Sequence, residues 1–338
     1  MRPATCICGR KWGHMPELID SYKRKIDYLR VSITDRCNLR CVYCMPKEGI
    51  KPKPHSEILT YEEIELFAKC AVKVGISRIR LTGGEPLVRR GVVDLVHRLS
   101  QISDLKDMSL TTNGILLKDY AKALVDAGLK RINISLDSLE PEVYRRLTRG
   151  GDVRKALEGM NAALEVGLDP VKINVVVLRG LNENLKKFAE LILEYPVHVR
   201  FIEYMPFNQE LNYEDRFVSC AEMMEKLKNF GGLEEVSSPL GAGPARYYTF
   251  KGAQGTLGFI SPVSGHFCSK CNRLRLTADG RLRTCLFSEE EINVKKVLCE
   301  GSEQRIMELI REALINKPKD RMSIRKASLK RRMSQIGG

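Results

Sequence analysis

Six β-like runs, each leading into an amphipathic helical run, predict an α/β chain with a parallel sheet and crossover helices. Inside those runs apolar and polar residues alternate, whereas parallel strands buried on both faces read as continuous apolar stretches. An apolar face toward helices and a polar face toward an enclosed ligand fit a partial (β/α)6 TIM-like barrel. After Pro206 the texture changes and a C-terminal extension begins.

The first strand is read in YLRVSIT from Tyr28, with Leu29, Val31 and Ile33 apolar and Arg30, Ser32 and Thr34 polar; a helix pattern starts at Tyr61. In SRIRLT, Ile79 and Leu81 alternate with Arg78, Arg80 and Thr82, and a helix follows over Val92 to Ser100. MSLTTN sets Met108 and Leu110 against Ser109, Thr111 and Asn113 before a helix over Lys118 to Ala127. RINISLD sets Ile132, Ile134 and Leu136 against Arg131, Asn133 and Ser135, with helical stretches from Pro141 and Asp152. VKINVVVL adds Lys172 and Asn174 to the polar face, a helix follows over Glu183 to Leu193, and VRFIEYM closes the series. Beyond it, Gly-rich stretches separate short strands, and a helix is expected over Glu303 to Asn316. The expected organisation is an N-terminal extension (1–25), the barrel (26–215), a C-terminal domain (216–316) and a basic tail (317–338).

With 43% apolar and 29% charged residues in 338, the chain has the composition of a globular protein and not of a disordered one. It has no apolar run long enough to span a membrane, and its start lacks the apolar region of a secretory signal, so a cytoplasmic protein is expected. Eleven cysteines in that compartment point to metal binding before disulfides. A net charge of +14 suits a polyanionic partner, and the run from Lys317 to Arg332 carries a local share of it in a tail-like stretch.

Two cysteine triplets carry chemistry. Cys37, Cys41 and Cys44 form CxxxCxxC just past the first strand, where the loops of parallel barrels build active sites. Three soft thiolates can fill three corners of a four-iron cube and leave one iron open, whereas a structural zinc would need a fourth ligand and none is obvious nearby. Cys268 and Cys271, with Cys285 later, form the second triplet; its spacing alone also admits a zinc ribbon with His266. Thr82-Gly83-Gly84-Glu85-Pro86 follows the second strand, and glycines there allow close backbone approach. Cys6, Cys8 and His14 supply too few ligands for a site, and Cys70, Cys220 and Cys299 stand alone.

The CxxxCxxC motif with Tyr43 before its last cysteine resembles the radical S-adenosylmethionine superfamily, and TGGEP is similar to its methionine-binding element. The run CSKCNRLRLTADGRLRTCL and the terminal Gly337-Gly338 resemble, within that superfamily, the GTP 3′,8-cyclase family of molybdenum cofactor biosynthesis, from about Arg30 to the end. The resemblance implies a lyase with two 4Fe-4S clusters, one on each triplet, and S-adenosyl-L-methionine lined by Tyr43, Gly84, Ser135 and Met205. It implies GTP beside the second cluster, contacted by Arg30, Arg80, Thr111, Lys172, Arg273, Leu274 and Arg275, and catalytic roles for Arg273, Arg275, Gly337 and Gly338. It further implies an electron donor such as a flavodoxin or ferredoxin, transfer of product to cyclic pyranopterin monophosphate synthase, and a homodimer as one assembly, with no membrane and no nucleic acid. The rivals are a radical enzyme acting on a peptide or RNA, and a zinc protein binding nucleic acid through the basic tail.

Overall fold

Strand and helix alternate in the order the sequence pattern demands. The computed structural model describes residues 17–206, 212–228, 230–239, 243–324 and 331–337; Cys6, Cys8, His14 and Gly338 lie outside them. The first half contains β1 (Tyr28–Ser32), α1 (Tyr61–Lys73), β2 (Arg78–Thr82), α2 (Val92–Ser100), β3 (Asp107–Thr112), α3 (Leu117–Asp126) and β4 (Arg131–Ser135). After β4 come α4 (Pro141–Thr148), α5 (Val153–Glu165), β5 (Val171–Val177), α6 (Lys186–Glu194) and β6 (Val197–Glu203). The remainder holds α7 (Tyr213–Arg216), α8 (Cys220–Lys228), β7 (Glu234–Val236), β8 (Arg246–Thr249), β9 (Thr256–Ile260), β10 (Arg273–Leu276), β11 (Arg281–Arg283), β12 (Ile292–Asn293), α9 (Lys295–Glu300) and α10 (Glu303–Ile315).

Local chemistry sets the boundaries. Thr60 and Glu63 close a capping box on α1, and the Asp152 carboxylate caps α5 by accepting from Arg154 N–H. Glu183 does not open a helix as its position suggests: its carboxylate accepts from Gly180 N–H at 3.0 Å while Asn182 accepts from Leu178 N–H at 2.8 Å. That turn uses residues 178–183, so α6 starts only at Lys186.

One open sheet of twelve strands runs β12-β11-β10-β1-β2-β3-β4-β5-β6-β9-β8-β7. β1 to β6 are parallel neighbours, as expected of a partial barrel, and the C-terminal segment adds a parallel strand to each edge, β10 beside β1 and β9 beside β6. Alternation then sorts the side chains. Leu29, Val31, Ile79, Leu81, Leu110, Ile132, Ile134 and Ile173 are wholly or almost wholly buried against the helices, each worth about 1.5–3 kcal/mol relative to exposure. The opposite face carries the polar partners. No helix among the described residues is long and apolar enough to cross a membrane.

Candidate active site

Strand register builds the polar interior in rows. Arg275, Arg30 and Arg80 lie side by side on β10, β1 and β2, with Ser109 next on β3. Thr111, Asn133, Lys172 and His198 form a row across β3 to β6. Arg273, Arg131 and Arg200 share this face by the same parity and add their charges to one concave surface. Arg131 is paired with Asp107, Arg80 donates to Ser109 Oγ at 3.2 Å and stacks over the Tyr28 ring, and Arg200 donates to Asn133 Oδ1 at 2.6 Å.

Burial, followed by repulsion from Arg200, Arg131 and Arg80, lowers the Lys172 ammonium to about 7. Burial and like charges also bring Arg80 and Arg275 down to about 10 and hold Arg30 well below its ordinary value. Three buried polar atoms here, Tyr28 Oη, Thr111 Oγ1 and Arg200 Nε, have no protein partner. A polyanion that brings both charge and acceptors would relieve this surface.

The first triplet sits past the C-terminal end of β1, on a loop fastened from three sides. Gly84 N–H donates to the Thr34 carbonyl at 2.8 Å and Glu85 N–H to the Arg36 carbonyl at 2.8 Å. Only glycine allows that approach at position 84, since a Cβ there would stand 2.3 Å from the Arg36 carbonyl oxygen. Arg40 N–H and Val42 N–H donate to the carbonyls of Thr148 and Leu147 at the end of α4, and Asn113 Nδ2 donates to Asn38 Oδ1 at 2.7 Å. Behind the loop the buried Glu85 carboxylate accepts from Thr112 Oγ1, Asn113 N–H and Leu87 N–H; burial nonetheless pushes it up to about 7. Tyr43 Oη donates to Asp137 at 2.7 Å, which fixes the aromatic ring ahead of Cys44. Ser135 ends β4 on the interior face and Met205, half-buried, follows β6 by two residues. A cavity of 330 Å³ lined by Asp35, Arg36, Cys37, Arg40, Met45, Ile50 and Pro52 opens beside the triplet.

The second triplet lies at the other end of the strand layer. Cys268 opens a 3-10 turn, Cys271 precedes β10, and the β10–β11 hairpin, with Arg275 opposite Arg283, returns the chain to Cys285. Because β10 runs parallel to β1, Cys271 stands before the row of arginines and Cys37 after it, separated by roughly 16 Å of strand. Burial raises the Cys271 thiol, but Lys317, Arg273 and Arg275 outweigh it and the thiol ends below its ordinary value. Burial pushes Cys37 up to about 11, with the Glu85 charge adding to the rise, and Cys44 to about 12, with the Cys37 thiol adding to it.

Thiols in each triplet are therefore near enough to repel as thiolates. Yet among the described residues no three Cys, His, Asp or Glu side chains converge closely enough for a single ion. A zinc shell needs four donors around one point, while a four-iron cube takes each thiolate at its own corner, so these donor sets fit the cube. His266, the fourth donor in the zinc reading, has its Nδ1 3.2 Å from the Pro262 carbonyl.

Gly337 enters the same space from the C-terminus, its carbonyl accepting from Arg30 Nε and Arg275 Nη1, each at 2.9 Å. Of the residues read from sequence, Leu274 is set apart: its side chain is 1% exposed in the hydrophobic core opposite Leu29, because alternation sends it away from Arg273 and Arg275. Only its backbone can serve the interior. Tyr28, Arg131, Arg200, Glu85, Asp137 and Lys317 were missed; strand parity alone points to the first three.

The Radical SAM superfamily model matches residues 31–192 and the Molybdenum Cofactor Synthesis C model residues 197–323. A GTP 3′,8-cyclase of Pelotomaculum thermopropionicum is 50% identical over 323 residues, covering 94% of this chain and 99% of the relative. One from Petrotoga mobilis is 49% identical over 324 residues, covering 95% and 100%. In fold, the chain is similar to Streptococcus suis SuiB bound to S-adenosylmethionine, with a TM-score of 0.57 at 16% identity over 86% of this chain and 69% of that one.

Proposed function

The chain belongs to the GTP 3′,8-cyclase family of radical S-adenosylmethionine enzymes, and on that premise we propose how its residues convert GTP to 3′,8-cyclo-7,8-dihydro-GTP, an early step of molybdenum cofactor biosynthesis. The observation that carries the proposal is the position of a cation-rich concave surface between two cysteine triplets. Cys37, Cys41 and Cys44 would hold one 4Fe-4S cluster, and Cys268, Cys271 and Cys285 the other. When bound, the first cluster and S-adenosyl-L-methionine supply the radical that removes the 3′ hydrogen of the ribose, and the second offers an open iron to the guanine.

The rest is the work of this chain. Tyr43, held by Asp137, and Gly84 would orient S-adenosyl-L-methionine, with Ser135 and Met205 along its flank. Arg30, Arg80, Lys172, Arg273 and Arg275 grip the triphosphate by charge-assisted hydrogen bonds, and Thr111 offers its unpartnered hydroxyl. The carbonyl of Gly337 orients Arg30 and Arg275 from the far side, and a catalytic role is proposed for Gly338 as well. Enclosure by the sheet and by this tail excludes water from the reacting carbons.

The partners proposed are a flavodoxin or ferredoxin as electron donor and cyclic pyranopterin monophosphate synthase as recipient of the product, in a cytoplasmic enzyme that forms a homodimer. Arg36 and Arg40 on the cavity beside Cys37 support an acidic donor. Two domains, 26–215 and 216–316, would divide the two clusters between them.

Anaerobic incubation with GTP, S-adenosyl-L-methionine and a reductant tests the reading. Both 5′-deoxyadenosine and a cyclised nucleotide should appear, Cys41→Ala should stop both, and Arg275→Ala should chiefly stop the cyclised one. Cyclised product from Cys41→Ala would defeat the assignment.

A further inference from the structure

Lys317 opens the basic run that composition marks as a tail, yet it is 3% exposed. It stands just past α10, where its N–H donates to the Leu314 carbonyl. Its ammonium group lies 2.9 Å from the Arg273 carbonyl, within hydrogen-bond reach of the Thr284 carbonyl, and 3.8 Å from Cys271 Sγ. One cation thus ties the segment leaving Cys271 to the segment entering Cys285, with its charge against a thiol. A second buried cation completes the frame. Arg24, paired with the fully buried side chain of Asp20, donates to the carbonyls of Cys268, Pro318 and Lys319. Arg24 therefore fixes the remaining arm of the triplet and also the chain just after Lys317.

We propose that Lys317 is a positioning residue of the second triplet: a fixed positive charge that holds two of its arms in register and offsets the negative charge of the thiolate-bound cluster. The proposal rests on the reading that Cys268, Cys271 and Cys285 hold such a cluster. A buried ammonium group costs several kcal/mol of desolvation unless it is hydrogen-bonded and faces negative charge. Two carbonyls meet the first need, and a cluster on Cys271 would meet the second.

Charge and packing separate experimentally. In the full chain carrying Cys37→Ala, Cys41→Ala and Cys44→Ala, only the second cluster contributes to the spectrum after anaerobic reconstitution. In that background Lys317→Met should lower the midpoint potential in a redox titration followed by electron paramagnetic resonance, because reduction adds negative charge that the ammonium no longer offsets. Iron loss to a chelator should be about 10- to 100-fold faster. Lys317→Gln keeps donors for the two carbonyls without the charge, so it should regain iron retention in part while its potential stays low. If Lys317→Met does not fold, Lys317→Gln decides the matter. A potential unchanged from the lysine parent overturns the role of Lys317 while leaving the site intact. A parent that retains no iron instead removes the reading of the triplet itself.

Discussion

Arg30 Nε and the carbonyl oxygen of Gly337, 307 residues apart in sequence, are joined by a hydrogen bond of 2.9 Å. Arg275 donates to the same oxygen, so Gly337 is bound to two cations of the concave surface. Gly337 has φ of +64°, and a Cβ on it would stand 2.3 Å from Thr82 Oγ1. Gly337→Ala should therefore lower cyclisation by about 100-fold, the scale of a misplacement near 1 Å, with iron content unchanged. Product assays and iron analysis on the same preparation check this, and wild-type turnover would remove the role. Deleting Gly337 and Gly338 should abolish cyclisation while both clusters remain.

Lys172 predicts a proton linked to substrate. Burial, with Arg200, Arg131 and Arg80 close by and Asp107 opposing them, lowers its ammonium group, which also faces His198 and the Tyr247 ring, to about 7. Below that pH it is already charged, while above it, before GTP binds, it is largely neutral, and a triphosphate raises its pKa. GTP binding should take up protons at pH 8 and few at pH 6, and affinity should weaken as pH rises. Calorimetry in buffers of different ionisation enthalpy measures the uptake. Lys172→Met should abolish it; uptake that persists would reassign it.

Glu85 predicts a stability effect away from any ligand. Its buried carboxylate accepts three hydrogen bonds: two, at 2.7 and 2.6 Å, join the second βα loop to the end of β3, and one, at 3.0 Å, closes the loop on Leu87. Glu85→Ala should cost about 3 kcal/mol by leaving those donors without a partner. Urea unfolding of cluster-free protein reads this directly, and an unmoved midpoint would contradict it.

For Tyr43 the effect depends on pH. Burial raises the Asp137 carboxyl to about 6, and the Tyr43 hydroxyl and Val176 N–H work against the rise. Tyr43→Phe removes one donor from a group that is charged above about pH 6 and neutral below it. The loss of stability should be about 2 kcal/mol at pH 8 and clearly smaller at pH 5. Equal losses at both values would mean that the ring, not the hydrogen bond, matters.

Much of the site could be read in the sequence because strand parity is local. Alternation alone put Arg30, Arg80, Thr111, Ser135 and Lys172 on one face, and register then aligned them. Leu274 shows the same rule working against a motif read as a block, since every second residue of a strand leaves the site. Glu85 and Asp137 lie in loops, where no period marks a buried carboxylate. Lys317 looked like tail because composition cannot register that α10 and Arg24 would bury it. Pairing of β10 with β1 and of β9 with β6 is non-local, so six strand-helix units could be counted without revealing what covers their edges.

Those two edge pairings bear on how the polypeptide emerges during synthesis. When β6 has been made, the nascent sheet has unpaired backbone at both β1 and β6, and it keeps the former exposed until residues 273–276 arrive. Chains that terminate early, whether by a nonsense codon or by proteolysis, would present two adhesive borders and should accumulate as aggregates. Quality control in the cell thus falls on the last third of the gene product, although the earlier part carries the whole run from β1 to β6.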